Sequence, residues 1–502
     1  MRYQPRRVFW ALLALVAVLS PGSLWAQGNF VYTNDDRRPE FGNTVSGFSV
    51  APDGRLTPVP GSPFPTGGIG SGGGFYSSNR LTIVGNFLFA SNASTNDVSV
   101  FTIDPITGAL TPVAGSPFPT GGEGIAGISV SATPDGRFLM AANNTGIAHS
   151  ITVFSIAADG ALTPIAGSPF PTQSRPVGMK VTPNGKFLAV AEPWAEPEVQ
   201  GMEMFSIAAP DGALTSLGEF APTGFPSGVD VDCSTSFLYG GEASKSTTVD
   251  AYNIALDGSL TPLAGSPFMP GVGSNSNVVL LSPDDKTLFV SNQESNTITV
   301  FRVASSGSLS LLSGSPFSMN HPAYGPSGMA TSQDGTLLYV ASFSGVVSVF
   351  SVATDGNLTE VAGSPFYPGQ SHSLISLTAY PPKSCMLTVG IEIRPPARSP
   401  VPVNPQAKGK IPVAILSTLT FNAVTQVNTK SLRFGHSGNE ASLAFCGGGG
   451  EDVNDDGLLD LVCHFSTPQT KFVAGDTTAF LKGKTVTGGK IQGSEGIRTV
   501  PK

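Results

Sequence analysis

The chain has 502 residues, a formal net charge of −8 and only 12% charged residues, about half the usual share. That length allows more than one domain, and the acidic balance without any basic cluster excludes nucleic acid as an expected partner. The 60 Gly and 42 Pro would suggest disorder if scattered, but they recur at fixed places in a repeat and read as turn chemistry.

Residues 1–26 carry Arg2, Arg6 and Arg7, an apolar run from Val8 to Leu19 and a small-residue end at Ala26. This is the pattern of a secretory signal peptide cleaved after Ala26, with an apolar part too short to span a membrane. Removing three positive and no negative charges takes the mature chain from −8 to −11. No later segment reads as a membrane span. The expected location is the periplasm or the exterior.

Residues 27–381 are organised by one phrase, clearest in VFSIAADGALTPIAGSPFPT from Val153 to Thr172. VFSI alternates its side chains, ADG supplies a turn with Gly160 free to take positive φ, and ALTPIAG begins a second extended run. Copies start at Gly47, Val100, Ala251, Val300 and Val349, with a degraded one, MFSIAAPDGALTSLGEF, at Met204. The marker glycines Gly61, Gly115, Gly167, Gly218, Gly265, Gly314 and Gly363 keep a period near fifty residues. Between these hairpins lies another, as in PVGMKVTPNGKFLAVAE from Pro176 and PSGMATSQDGTLLYVAS from Pro326. Four strands per period and no helical pattern predict propeller blades. NFVYTN at Asn29 and the segment from Asn43 match second and third strands with no first strand before them. Residues Ser371 to Tyr380 supply it, closing a seventh blade from both ends of the ring and covering an edge that would otherwise be open.

The repeat stops at PPKSC, residues 381–385. From 386 to 502, short apolar runs between Pro and Gly turns predict a small antiparallel β domain of sandwich type. The fold expected is therefore all-β, a seven-bladed propeller with terminal closure followed by a C-terminal β-sandwich-like domain. Four cysteines in an exported chain favour disulfides, with three connectivities open. Cys446 with Cys463 and Cys233 with Cys385 is the preferred pairing, the second tying the linker to the ring. The alternative leaves two free thiols in the propeller region.

The sharpest local motif is EDVNDDGLLDLVCHF, from Glu451 to Phe465. Asp452, Asn454, Asp456 and Asp460 occupy alternate positions of a calcium loop, Gly457 takes its sharp turn and Leu458 offers a carbonyl. Cys463 stands where an EF-hand places its bidentate Glu, and the segment instead resembles the loop of FG-GAP repeats. A structural Ca2+ is expected there, the alternative being a solvated acidic turn. Gly68, Gly70 and Gly73 match a dinucleotide-binding fingerprint without the βαβ unit it needs. The five histidines form no cluster.

The phrase from Pro176 to Ala191, repeated from Pro326 to Ala341, and the DG-x-L-T phrase from Asp159 to Thr163 resemble the lactonase-like and YVTN propeller families. The C-terminal VGIEIRP and IPVAILST runs resemble a module found at the ends of bacterial extracellular proteins. The lactonase resemblance implies enzymes that open sugar lactones, 6-phosphogluconolactonases among them, with His and Arg near the starts of the inner strands. Here those slots read Gly127-Ile128, Gly178-Met179, Gly228-Val229 and Gly328-Met329. The polar residues left at the channel mouth are Arg80, His372, Arg175 and Glu192, joined by Asn275, Asn277 and His321. A hydrolase would use His372 as base and Arg80 or Arg175 to hold an oxyanion. The other reading is a wet channel mouth on a binding propeller. Two functions follow: a monomeric exported scaffold binding a protein or carbohydrate on its loop face, or a lactonase-like hydrolase acting on an extracytoplasmic lactone.

Overall fold

The structure, a computed structural model, describes residues 28–37, 40–72, 79–123, 129–144, 149–193, 201–220, 225–242, 248–271, 276–319, 325–368, 374–383, 385–395, 399–418, 421–486 and 489–500. The expected leader, residues 1–26, lies outside them. No helix among the described residues is long and apolar enough to cross a membrane.

Seven antiparallel sheets of the repeat follow one another around a ring. Blade 1 starts with Leu81–Val84, blade 2 with Val130–Ala132, blade 3 with Gly178–Val181, blade 4 with Pro226–Val231, blade 5 with Ser276–Leu281 and blade 6 with Pro326–Thr331. Blade 7 is the closure. Ser376–Tyr380 pairs with Phe30–Asn34, Phe30 opposite Tyr380 and Asn34 opposite Ser376, and Thr44–Val50 and Leu56–Pro58 complete the sheet.

Alternation along each strand sends apolar side chains to both sheet faces, so every blade must be sandwiched between two others. Seven apolar clusters do this, one at each blade-to-blade junction. The junction that joins head to tail packs Phe30, Tyr32 and Tyr380 against Leu81, Leu88 and Phe101 of blade 1.

The GSPF phrase has a local cause. Its glycine takes a left-handed φ, +90° at Gly61 and +84° at Gly115, which other residues adopt at a cost. The serine hydroxyl that follows accepts a third-strand backbone N–H, as Ser116 does from Val100 at 2.9 Å and Ser168 from Val153 at 2.8 Å. The phenylalanine then brings the chain back alongside the third strand, with Phe118 opposite Val98. Blade 3 lacks the phrase. Its outer strand runs as one element from Leu214 to Phe220, with Leu217 as an extra residue opposite the step from Met204 to Phe205.

The C-terminal region has two sheets around a single core that includes Ile393, Val413, Phe434, Phe465 and Leu481. The expectation of an antiparallel domain is corrected at one edge. Met386–Thr388 and Val401–Val403 both run parallel to Lys490–Thr499, because the chain visits the other sheet at Ile391–Ile393 between them. Both cysteine pairs are disulfides, Cys233–Cys385 and Cys446–Cys463. The first fastens the linker to the end of the inner strand of blade 4.

Candidate functional site

Arg80 sits one residue before the inner strand of blade 1, as expected, but it does not face a channel. Its side chain is 0% exposed and its Nη1 lies 2.6 Å from Asp36 Oδ1, itself 1% exposed. Asp36 also accepts hydrogen bonds from the backbone N–H and hydroxyl of Ser71. The Arg80 backbone N–H donates to Ser376 Oγ at 3.1 Å, so this buried ion pair locks blade 1 to the closing blade. His372, Asn275 and His321, with the side chain of Asn277, lie outside the described residues. Arg175 is half-buried in the loop that enters blade 3.

Glu192 ends the second strand of blade 3, and comparison with its counterparts reveals a departure. The same strand-end position holds Asn34, Asn92, Asn143, Asn292 and Ser342 in five other blades, but Glu192 and Glu242 in blades 3 and 4. In blades 1, 2 and 5 the asparagine donates to hydroxyls on the third strand, Asn143 to Ser150 and Thr152, Asn292 to Thr297 and Thr299. In blades 3 and 4 that third-strand position is also acidic, Glu203 and Asp250.

The polarity of the loop contacts inverts to match. In blades 1, 2 and 5 a loop carbonyl accepts from a third-strand hydroxyl, as Thr120 does from Thr152. In blade 3 the loop donates instead, Ser174 N–H to Glu192 Oε2 at 2.9 Å and Gln173 N–H to Glu203 Oε2 at 3.0 Å. Glu219 faces Glu203 across the outer pair of strands and lies over Gly201, filling the space a Cβ there would need.

Three carboxyls thus gather in blade 3. Burial, then the nearby Glu203 and Glu219 charges, push the Glu192 carboxyl up to about 10, so it is protonated at neutral pH. Burial also raises Glu203, against hydrogen bonds from Ser216 and Gln173, and raises Glu219. Arg175 and Glu192 therefore share one corner of blade 3, while Arg80 belongs to a different junction. The acidic departures were legible by aligning strand ends within the repeat; the Asp36 partner of Arg80 was not.

In the C-terminal domain, Asp452 accepts from Asp456 N–H at 3.1 Å and Gly457 N–H at 2.9 Å, and Asp456 from Leu458 N–H at 2.8 Å and Asn454 Nδ2 at 3.0 Å. Asp460 is buried and turned inward, accepting from Ser417 N–H at 2.7 Å and Val453 N–H at 3.2 Å. Among the described residues no group of three or more His, Cys, Asp or Glu is gathered to hold a metal ion. The donors that fit a hard cation in kind are oxygens, and each bonded carboxylate oxygen keeps a second lone pair.

The sequence model of the family described as lactonase, 7-bladed β-propeller, matches residues 115–196, 194–308 and 273–371, an envelope from 115 to 371 that is just over half of the 502 residues. Solved structures share the fold. A putative 6-phosphogluconolactonase from Bacteroides fragilis is 21% identical, with a TM-score of 0.55 over 71% of this chain and 99% of its own. One from Bacteroides uniformis is 18% identical, with a TM-score of 0.57 over 70% and 99%. The periplasmic gluconolactonase of Pseudomonas aeruginosa is 20% identical, with a TM-score of 0.53 over 70% and 99%.

Proposed function

The chain belongs to the lactonase family of seven-bladed β-propellers, and from that membership we propose an exported, monomeric binding propeller that recognises a carbohydrate or protein on its loop-rich face. The observation that carries this reading is how two of the candidate catalytic groups are spent. Arg80 is sealed against Asp36 and Glu192 is closed inside a carboxyl cluster, so neither presents a cation or a free base to a substrate. Export is supported by the leader pattern and by two disulfides, which persist in oxidising compartments. The test pairs a glycan array with a lactone-hydrolysis panel on the purified protein. Saturable binding without turnover is expected, and turnover on any lactone above the uncatalysed rate overturns it.

A second reading, lactone hydrolysis, is favoured by one feature. Glu192 holds a proton beside Glu203, whose partners oppose its upward shift, the pairing that general acid–base chemistry uses. Turnover that Glu192→Gln abolishes would put this reading in place of the first.

We also propose a structural Ca2+ on the loop of Asp452, Asn454, Asp456, Leu458 and Asp460, supported by the oxygen donors at alternate positions. Its contribution would be to neutralise the loop's carboxylates beside the Cys446–Cys463 disulfide.

A further inference from the structure

We propose that the linker end of the central channel is a binding site for a small hydroxylated anion, held by the ammonium groups of Lys180 and Lys383. This site is separate from the loop-rich face and does not depend on the reading given for it. A cavity of about 520 Å³ opens there, lined by the inner strands and by Pro382, Lys383 and Cys385 of the linker. That volume is in the range of small-molecule sites and many times the space of one water.

One register position, opposite the third residue of each second strand, builds the wall. It holds Thr378, Thr82 and Ser131 in blades 7, 1 and 2, and Leu280 and Ala330 in blades 5 and 6. Only blades 3 and 4 place charges there, Lys180 and Asp230. Lys180 Nζ is 2.9 Å from Asp230 Oδ1, and Lys383 Nζ is 3.1 Å from Asp230 Oδ2. Two ammonium groups share one carboxylate, and Lys180, which spends one N–H on Asp230, keeps further donors for the cavity; the two lysines are the charged residues among those lining it.

Asp230 lies behind them, 3% exposed in its side chain. Burial would raise its carboxyl, but Lys180, Lys383 and the Leu281 N–H hold it well below the usual range, so it stays ionised and fixes both cations. Asp285 also faces Lys383; burial pushes it up to about 7, so near neutrality its charge is half present. Asp232, close by, is bonded to its own turn through Ser234, Ser236 and Phe237. Lys383 is further held by the Leu281 carbonyl at 2.9 Å. Lys180, with 32% of its side chain exposed, is the cation most open to the cavity.

Hydroxyl recognition falls to the polar side chains of the wall. Thr82 and Thr378, at the register position that builds it, are half-buried and line the cavity, and Gln333 lines it with them. Thr331 also lines the cavity, but its Oγ1 is closed off from the open space.

Calorimetric titration of the purified protein with D-glucuronate, inorganic phosphate and uncharged glucose, at matched ionic strength, tests this. Saturable binding of glucuronate is expected, with phosphate weaker and glucose undetectable. Lys180→Met, which leaves Asp230 paired with Lys383, should weaken glucuronate at least tenfold, and Thr82→Val should weaken it several-fold. If Lys180→Met fails to fold, Lys180→Gln and Thr82→Val carry the comparison. Absence of saturable glucuronate binding to the unaltered protein, or affinity unchanged in the lysine and threonine variants, overturns the proposal.

Discussion

Replacing Glu192 by Gln should make the protein's stability less dependent on pH. In the unfolded chain this carboxyl titrates near 4.5, whereas in the fold burial and its acidic neighbours push it up to about 10. The sign follows from linkage. A group that holds its proton more tightly when folded contributes fully below 4.5, and that contribution is lost progressively as pH rises towards 10. Between 4.5 and pH 7 lie 2.5 pH units, which at about 1.4 kcal/mol each amount to roughly 3.5 kcal/mol. Sharing of protons with Glu203 and Glu219 lowers this, so about 1–3 kcal/mol is the working range. Gln keeps the shape and one acceptor and cannot ionise. Melting temperatures measured from pH 5 to 9 should fall with pH in the unaltered protein and fall less in Glu192→Gln, which should gain a few degrees at pH 8.5 and little at pH 5. A constant difference across that range would refute the reasoning.

Breaking the Arg80–Asp36 pair by Arg80→Met strands a buried carboxylate and should cost about 3–5 kcal/mol in denaturant unfolding, whereas a surface pair such as Arg137–Asp135 should cost under about 1 kcal/mol. Cys385→Ser releases a clasp spanning 152 residues and should lower unfolding stability by about 2–5 kcal/mol; unchanged midpoints would show that the linker is held by other contacts. Asp456→Ala should lower the melting temperature only when calcium is present, and identical melting of the unaltered protein with calcium and with chelator would remove the proposed ion.

The blades were legible because every one of them must solve the same packing problem, and so repeats the same Gly, Ser, Pro and Phe. Closure was legible for the same reason, since Asn29 to Val50 has the form of a second and third strand without a first. Side-chain partnerships were harder. Asp36 meets Arg80 across 44 residues through a left-handed turn at φ +43°, which no periodicity announces. Glu219 joins Glu203 only because blade 3 lost its GSPF phrase and keeps its outer strand paired past the irregularity as far as Phe220. Lys383 lies in a linker that reaches the channel beside the Cys233–Cys385 disulfide, a placement set by contacts far apart in sequence. In the C-terminal domain the alternation of apolar runs marked the strands, but parallel or antiparallel pairing is decided by how the chain crosses between sheets.

The most direct test of the binding reading is turnover itself. The purified protein should release no acid from a panel of five- and six-membered sugar lactones beyond the uncatalysed rate, followed by a pH indicator at neutral pH. Release that grows with protein concentration and disappears in Glu192→Gln would contradict it and establish the hydrolase.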